Sequence, residues 1–140
     1  MKPNVLASAS RLVILDQGIP LRGVVVRRIV EWEGGGTNRS VVKTNNAGIC
    51  HFEPVFASRV WSMLGFKNEF RQRIVAHVDG QEIALLTVVK LNLDDGGEFG
   101  CHEISLRCDI SYPFQLLKSH SGEYQLRGEL LNDLDLCAAK

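Results

Sequence analysis

Phe70-Arg71-Gln72-Arg73-Ile74-Val75-Ala76-His77-Val78-Asp79-Gly80 carries two structural signals in succession. Phe70, Ile74, Ala76 and Val78 share one parity, and Arg71, Arg73 and His77 share the other. A period of two suits a strand with one buried face, because successive side chains point to opposite sides of a sheet. Asp79-Gly80 then supplies residues that tolerate left-handed backbone in a two-residue hairpin turn. The stretch predicts a strand, a tight reversal at Asp79 and Gly80, and a long returning strand over Glu82–Leu93.

The same period extends outward from this hairpin. From Gly23 to Glu33, Val24, Val26, Val30 and Trp32 alternate with Val25, Arg27, Glu31 and Glu33, while Arg28 and Ile29 break the rule once on each side. Gly34-Gly35-Gly36-Thr37-Asn38 is expected to stop that strand, since three glycines offer nothing to pack. Arg39–Thr44, the turn Asn45-Asn46-Ala47-Gly48 and Ile49–Phe52 read as a second hairpin. Glu98–Tyr112 alternates His102, Ile104, Leu106, Cys108, Ile110 and Tyr112 against Glu103, Ser105, Arg107, Asp109 and Ser111. A polar loop over Lys118–Gly122 leads to a last strand at Glu123–Leu131. Pro54–Phe66 differs: Val55, Phe56, Val60, Trp61, Met63 and Leu64 recur at three and four residues, which predicts one short helix ended by Gly65. Seven to nine short strands with one helical insert imply an all-β antiparallel sandwich.

The 140 residues suffice for one domain over 1–140, with 1–8 and 132–140 expected to fray. Sixteen basic and sixteen acidic side chains cancel, which removes the broad attraction that nucleic acid or an anionic membrane needs. No apolar run approaches the ~20 residues of a membrane helix, and no secretory signal is visible, so a cytoplasmic location is expected. In that compartment Cys50, Cys101, Cys108 and Cys137 are expected to be reduced thiols. Cys50-His51 and Cys101-His102 look like a repeated metal half-site, but neighbours on a strand face opposite ways, so no metal or other cofactor is expected.

Leu15-Asp16-Gln17-Gly18-Ile19-Pro20-Leu21-Arg22-Gly23-Val24-Val25-Val26 resembles the G-x-P-L-x-G-V-x-V opening of transthyretin-like and carboxypeptidase-regulatory-like β-sandwiches. Thr44-Asn45-Asn46-Ala47-Gly48-Ile49-Cys50-His51-Phe52 resembles their T-[DN]-x-x-G-x-[CY]-x-F hairpin. The resemblance implies a transthyretin-like (prealbumin-like) fold whose bends rest on Gly18, Pro20, Gly23 and Gly48. One branch of that superfamily, the 5-hydroxyisourate hydrolases, is similar around an H-V-L-D segment and ends in Tyr-Arg-Gly-Ser. Here Val13-Ile14-Leu15-Asp16 puts valine where a histidine would move a proton, and the tetrapeptide is missing, so that activity is not expected. The insert with Trp61 and the Phe70–Leu93 hairpin look more like a group of small Gram-negative bacterial proteins, some encoded near type VI secretion genes. That likeness implies an immunity or accessory protein whose partner is a toxin or secretion component.

His102 and Cys108 share a parity but lie about 20 Å apart along a strand, too far for a catalytic pair. Asp94-Asp95-Gly96-Gly97 lacks the alternating oxygen ligands of a calcium loop and reads as a turn. Arginine is the more suggestive feature: Arg22, Arg27, Arg28, Arg39, Arg59, Arg71 and Arg73 are numerous beside the few lysines. Arginine makes planar two-pronged contacts and is enriched at interfaces, as are tryptophans. The partner-binding candidates are therefore Arg28, Trp32, Arg59, Trp61, Arg71 and Arg73. The expected function is a non-enzymatic protein-protein interaction domain. Stacking of a small molecule or carbohydrate on Trp32 or Trp61 is the alternative. Open sheet edges also allow a homodimer by strand pairing.

Overall fold

Val26, Ile74, Leu86 and Leu106 are each removed from solvent by residues of the opposing sheet, as the period-two pattern requires. The computed structural model describes residues 4–32, 36–57, 69–90, 98, 102–119 and 122–132. These contain β1 (Asn4–Ala7), β2 (Ala9–Asp16), β3 (Ile19–Pro20), β4 (Val25–Trp32), β5 (Gly36–Lys43), β6 (Ile49–Phe52) and β7 (Val55–Ala57). They continue with β8 (Phe70–Val78), β9 (Gln81–Lys90), β10 (Glu103–Asp109), β11 (Gln115–Ser119), β12 (Gly122–Leu126) and β13 (Gly128–Leu130).

A six-stranded sheet runs β11-β12-β9-β8-β4-β5, and a five-stranded sheet runs β13-β10-β2-β3 with β6 also on β2. The two stack without closing, and β1 pairs with β7 as a separate two-stranded sheet. Leu12, Ile14, Phe52, Ile104 and Leu106 of one layer meet Val26, Ile74, Leu86, Val88 and Leu126 of the other in the main core. A smaller cluster of Leu6, Ala7, Val30 and Phe70, flanked by Trp32 and Val55, lies under β1 and β7.

The predicted turns hold. Gln17 and Gly18 have φ of 51° and 81°, and Asp79 and Gly80 have 51° and 76°. Gly23 and Gly48 also have positive φ, and Pro20 ends β3. At Gly48 a Cβ would lie 2.7 Å from the Ile14 carbonyl oxygen, so glycine is required there for space as well as for its φ of 76°.

Several expectations are corrected. Among the described residues there is no helix: Val55–Ala57 is a strand bound to β1, because pairing with the N-terminal segment outweighs local three-and-four spacing. The rest of the predicted helix lies outside the described residues, as does the Asp94–Gly97 turn. Among the described residues thirteen strands appear in place of seven to nine, because runs such as the one at Arg127 break where the chain changes sheets. The predicted strand Glu123–Leu131 splits at Arg127, whose N–H donates to Leu85 in one sheet while its carbonyl accepts from Asp109 N–H in the other. The break needs Gly128, where a Cβ would sit 2.0 Å from the Arg107 carbonyl oxygen. The sheets are not wholly antiparallel, since β2 and β10 run parallel over seven paired positions. The N-terminus is not frayed at Val5–Ser8, which is buried. β4 ends at Trp32 ahead of the glycines, but Gly36, Thr37 and Asn38, expected in the stop, belong to β5, with Gly36 covered by the ring of Trp32. The loop expected over Lys118–Gly122 is narrower, since Lys118 and Ser119 end β11 and Gly122 begins β12.

Candidate functional site

Strand parity divides the arginines of the six-stranded sheet between its two faces. Arg28 stands opposite Ile74 on the inner face, whereas Arg73 stands opposite Ile29 and Arg71 opposite Glu31 on the outer one. Arg39 faces Ile29 from the other side, so Arg39, Ile29 and Arg73 form one row across β5, β4 and β8. Arg27 lies one row along, between Val41 and Val75, and Lys43 pairs with Val25. Arg39, Lys43, Arg71 and Arg73 are exposed and Arg27 is half-buried. Among the described residues none of these five cations forms an ion pair. Ile29 is only 7% exposed although it points outward, as expected where long arginine stems cover the aliphatic side chain between them.

The inner face has a polar seam between the two cores. Arg28, 1% exposed, places its guanidinium carbon 4.9 Å from the centre of the Phe52 ring. Its Nη1 donates to the Ser8 carbonyl at 3.2 Å and its Nη2 to the Glu53 carbonyl, while Nε is buried without a hydrogen-bond partner. Burial pushes the Arg28 pKa down to about 10, against the opposing pull of Glu98 and Glu53, so the group stays charged at neutral pH. Buried Glu98 accepts from Ser8 N–H at 2.8 Å, Ser8 Oγ at 2.7 Å and Gln72 Nε2 at 3.3 Å. Lys90 Nζ, also buried, donates to the Val5 carbonyl at 2.9 Å.

A groove of about 480 Å³ opens beside this seam, where the margins of the two stacked sheets approach one another. Asn38, Ser40 and Val42 of β5 line one wall with Arg28 beneath them, and His51, Phe52, Glu53, Pro54, Val55 and Phe56 line the other. His51 sits between two carboxylates, with Nδ1 3.6 Å from Glu53 and Nε2 3.8 Å from Glu103.

The structure thus separates the residues grouped by sequence. Arg71 and Arg73 share the exposed face; Arg28 and Trp32 belong to the opposite one, and Arg59 and Trp61 lie outside the described residues. Arg28, expected to meet a partner, is held by backbone carbonyls instead. Trp32 is half-buried, with its ring over Gly36. Arg27, Arg39 and the groove-facing Asn38 and Ser40 were missing from the candidate set. The signal for them is cross-strand register, which places distant segments in one row.

Cys50 and Cys108 are free and buried, and burial pushes the Cys50 thiol up to about 12 and Cys108 higher still. His102, by contrast, is exposed. Among the described residues no three His, Cys, Asp or Glu side chains gather as a metal site. No helix among them is long and apolar enough to cross a membrane. A family model described as Domain of unknown function (DUF6795) matches residues 11–113. No curated protein and no solved structure matches the chain.

Proposed function

We propose that this chain, which belongs to the DUF6795 family, is a non-enzymatic interaction domain that holds an acidic protein surface against the outer face of its six-stranded sheet. The observation that carries the reading is the row-and-column array of Arg27, Arg39, Lys43, Arg71 and Arg73, unpaired among the described residues in a chain of zero net charge. Segregated charge on a neutral protein favours one oriented partner over indiscriminate polyanion binding. The strands beneath fix the backbone positions of the array, so little main-chain ordering is left to oppose association, and only the exposed side chains lose rotamer freedom on binding. The transthyretin-like class and the immunity or secretion-accessory role belong to the same reading. Their support is the two turn motifs, which bracket β3 and β6, and the likeness of the insert.

Affinity capture from native lysate over a salt series tests the proposal. The expected result is a stoichiometric acidic partner, released as salt rises and lost in the Arg39→Glu/Arg71→Glu/Arg73→Glu variant while its circular dichroism is unchanged. Capture that ignores the charge reversal, or no stoichiometric partner at any salt, overturns it.

A further inference from the structure

β5 is an outer strand of the six-stranded sheet, and no described strand pairs with its second edge. All eight of its residues pair with β4 in unbroken register, from Gly36 opposite Trp32 to Lys43 opposite Val25. Thr44 N–H donates inward to the Val24 carbonyl at 3.0 Å. By the alternation of an antiparallel ladder, the even positions of β5 point their backbone groups toward β4. Thr37, Arg39, Val41 and Lys43 therefore aim N–H and C=O groups at the open edge. β5 has no bulge and no proline to block pairing, and Val41 is 58% exposed.

Side-chain chemistry along this edge is sorted by parity. Arg39 and Lys43 stand on the outer face with Thr37 and Val41. Asn38, Ser40 and Val42 face the groove, where Phe52 and Phe56 form part of the far wall. Neither Asn38 nor Ser40 makes a side-chain hydrogen bond among the described residues, and the buried Arg28 Nε beneath them is an unpartnered donor.

We infer that the edge of β5 accepts an extended segment of a partner protein as an added strand, with acidic residues on its outer parity and small polar or apolar residues entering the groove. The inference rests on the acidic-partner reading and specifies how that partner docks. An added strand lies about 4.8 Å from β5, so its outer carboxylates come beside Arg39 and Lys43 while its main chain completes the open ladder. Charge selects this occupant over a second copy of the chain, which would bring its own Arg39, Lys43 and neighbouring arginines alongside the first set.

The test uses the full chain and a fluorescent synthetic peptide that alternates glutamate with valine and threonine, read by anisotropy at low salt. Specific binding is expected, with amide shifts over Thr37–Lys43. A peptide N-methylated at alternate backbone positions should bind about tenfold more weakly, as loss of main-chain hydrogen bonding requires, and it leaves the protein untouched. Val41→Pro removes one outward N–H without touching the β4 ladder and should weaken the parent peptide by a similar factor. Absence of binding, or equal binding by parent and N-methylated peptides, overturns strand addition. If Arg71→Glu/Arg73→Glu still abolishes partner capture in that event, the basic-face reading stands alone; if it does not, both fail. A concentration-dependent dimer in sedimentation that Val41→Pro dissolves assigns the edge to a second copy and overturns the proposal.

Discussion

Arg28 and Arg73 lie on neighbouring strands of one sheet, one register step apart, and inhabit opposite environments. Arg28 is sealed between two hydrophobic clusters, with its charge spread over two carbonyls, an aromatic face and nearby carboxylates. Arg73 stands in solvent beside Arg71 and Ile29. The same side chain is a structural part in one place and, on the function proposed above, a recognition element in the other. Parity decides which, because a strand turns each successive side chain through the sheet. A buried charge whose partners are fixed also becomes costly to remove, whereas an exposed one is held by nothing but its own stem.

The strongest test of this contrast is Arg28→Ala, which removes the guanidinium donor from the buried Ser8 carbonyl and the part-buried Glu53 carbonyl and takes a positive charge away from buried Glu98. A loss of about 3–5 kcal/mol is expected in urea unfolding, and a loss below about 1 kcal/mol breaks the comparison. Asp109 asks whether the second sheet uses buried charge in the same way. Its carboxylate accepts from Gln17 N–H and Gly18 N–H, both at 3.0 Å, and from Ser111 N–H and Oγ. Burial opposes its ionisation, but these hydrogen bonds outweigh burial and hold the carboxyl below its ordinary value. Asp109→Asn should cost about 1.5–3 kcal/mol at neutral pH. Because the folded pKa is depressed, the ionised carboxylate's contribution is complete above the ordinary value of 3.8 and decays as pH falls toward the lower folded value. The difference between wild type and variant should therefore shrink in acid; a gap that stays constant from neutral pH into acid rejects the assignment.

Gly36→Ala sharpens the inner face near its margin. The added Cβ would lie 1.9 Å from Trp32 ring atoms, so the ring must move. A cost of about 1–3 kcal/mol with altered tryptophan fluorescence is expected, and an unchanged spectrum contradicts the packed position of Trp32. The smallest stability effect belongs to Arg71→Ala/Arg73→Ala, expected within about 0.5 kcal/mol of wild type at each site. The same pair should lower the salt dependence of partner capture. A large loss of stability from it makes the outer arginines structural and removes the contrast with Arg28.

Much of the local structure was legible in the residues. Asp79-Gly80 announced its turn because few residue types accept positive φ, Gly18 was marked only by the family resemblance, and Ile104, Leu106 and Cys108 announced a buried face by alternation. Arg28 was legible only as an irregularity: it and Ile29 each violate the pattern of β4, and residue type alone says that arginine belongs outside. Its partners Ser8, Glu53, Phe52 and Glu98 come from distant parts of the chain, and nothing local announces them. Val55 and Phe56 show the opposite error, since helical spacing was real in the residues and lost to pairing with β1.

Alternation and turn chemistry are local, set by backbone sterics and by which side chains leave water, and the sequence by itself determined them: an all-β chain with its principal reversals. Which strands become neighbours depends on contacts between segments far apart in sequence. The parallel pairing of β2 with β10, the change of sheet at Arg127, the burial of Arg28 and the alignment of Arg39 with Arg73 were decided only in the tertiary structure. There, packing two sheets against each other sets one register, and that register determines which arginines are buried and which meet solvent.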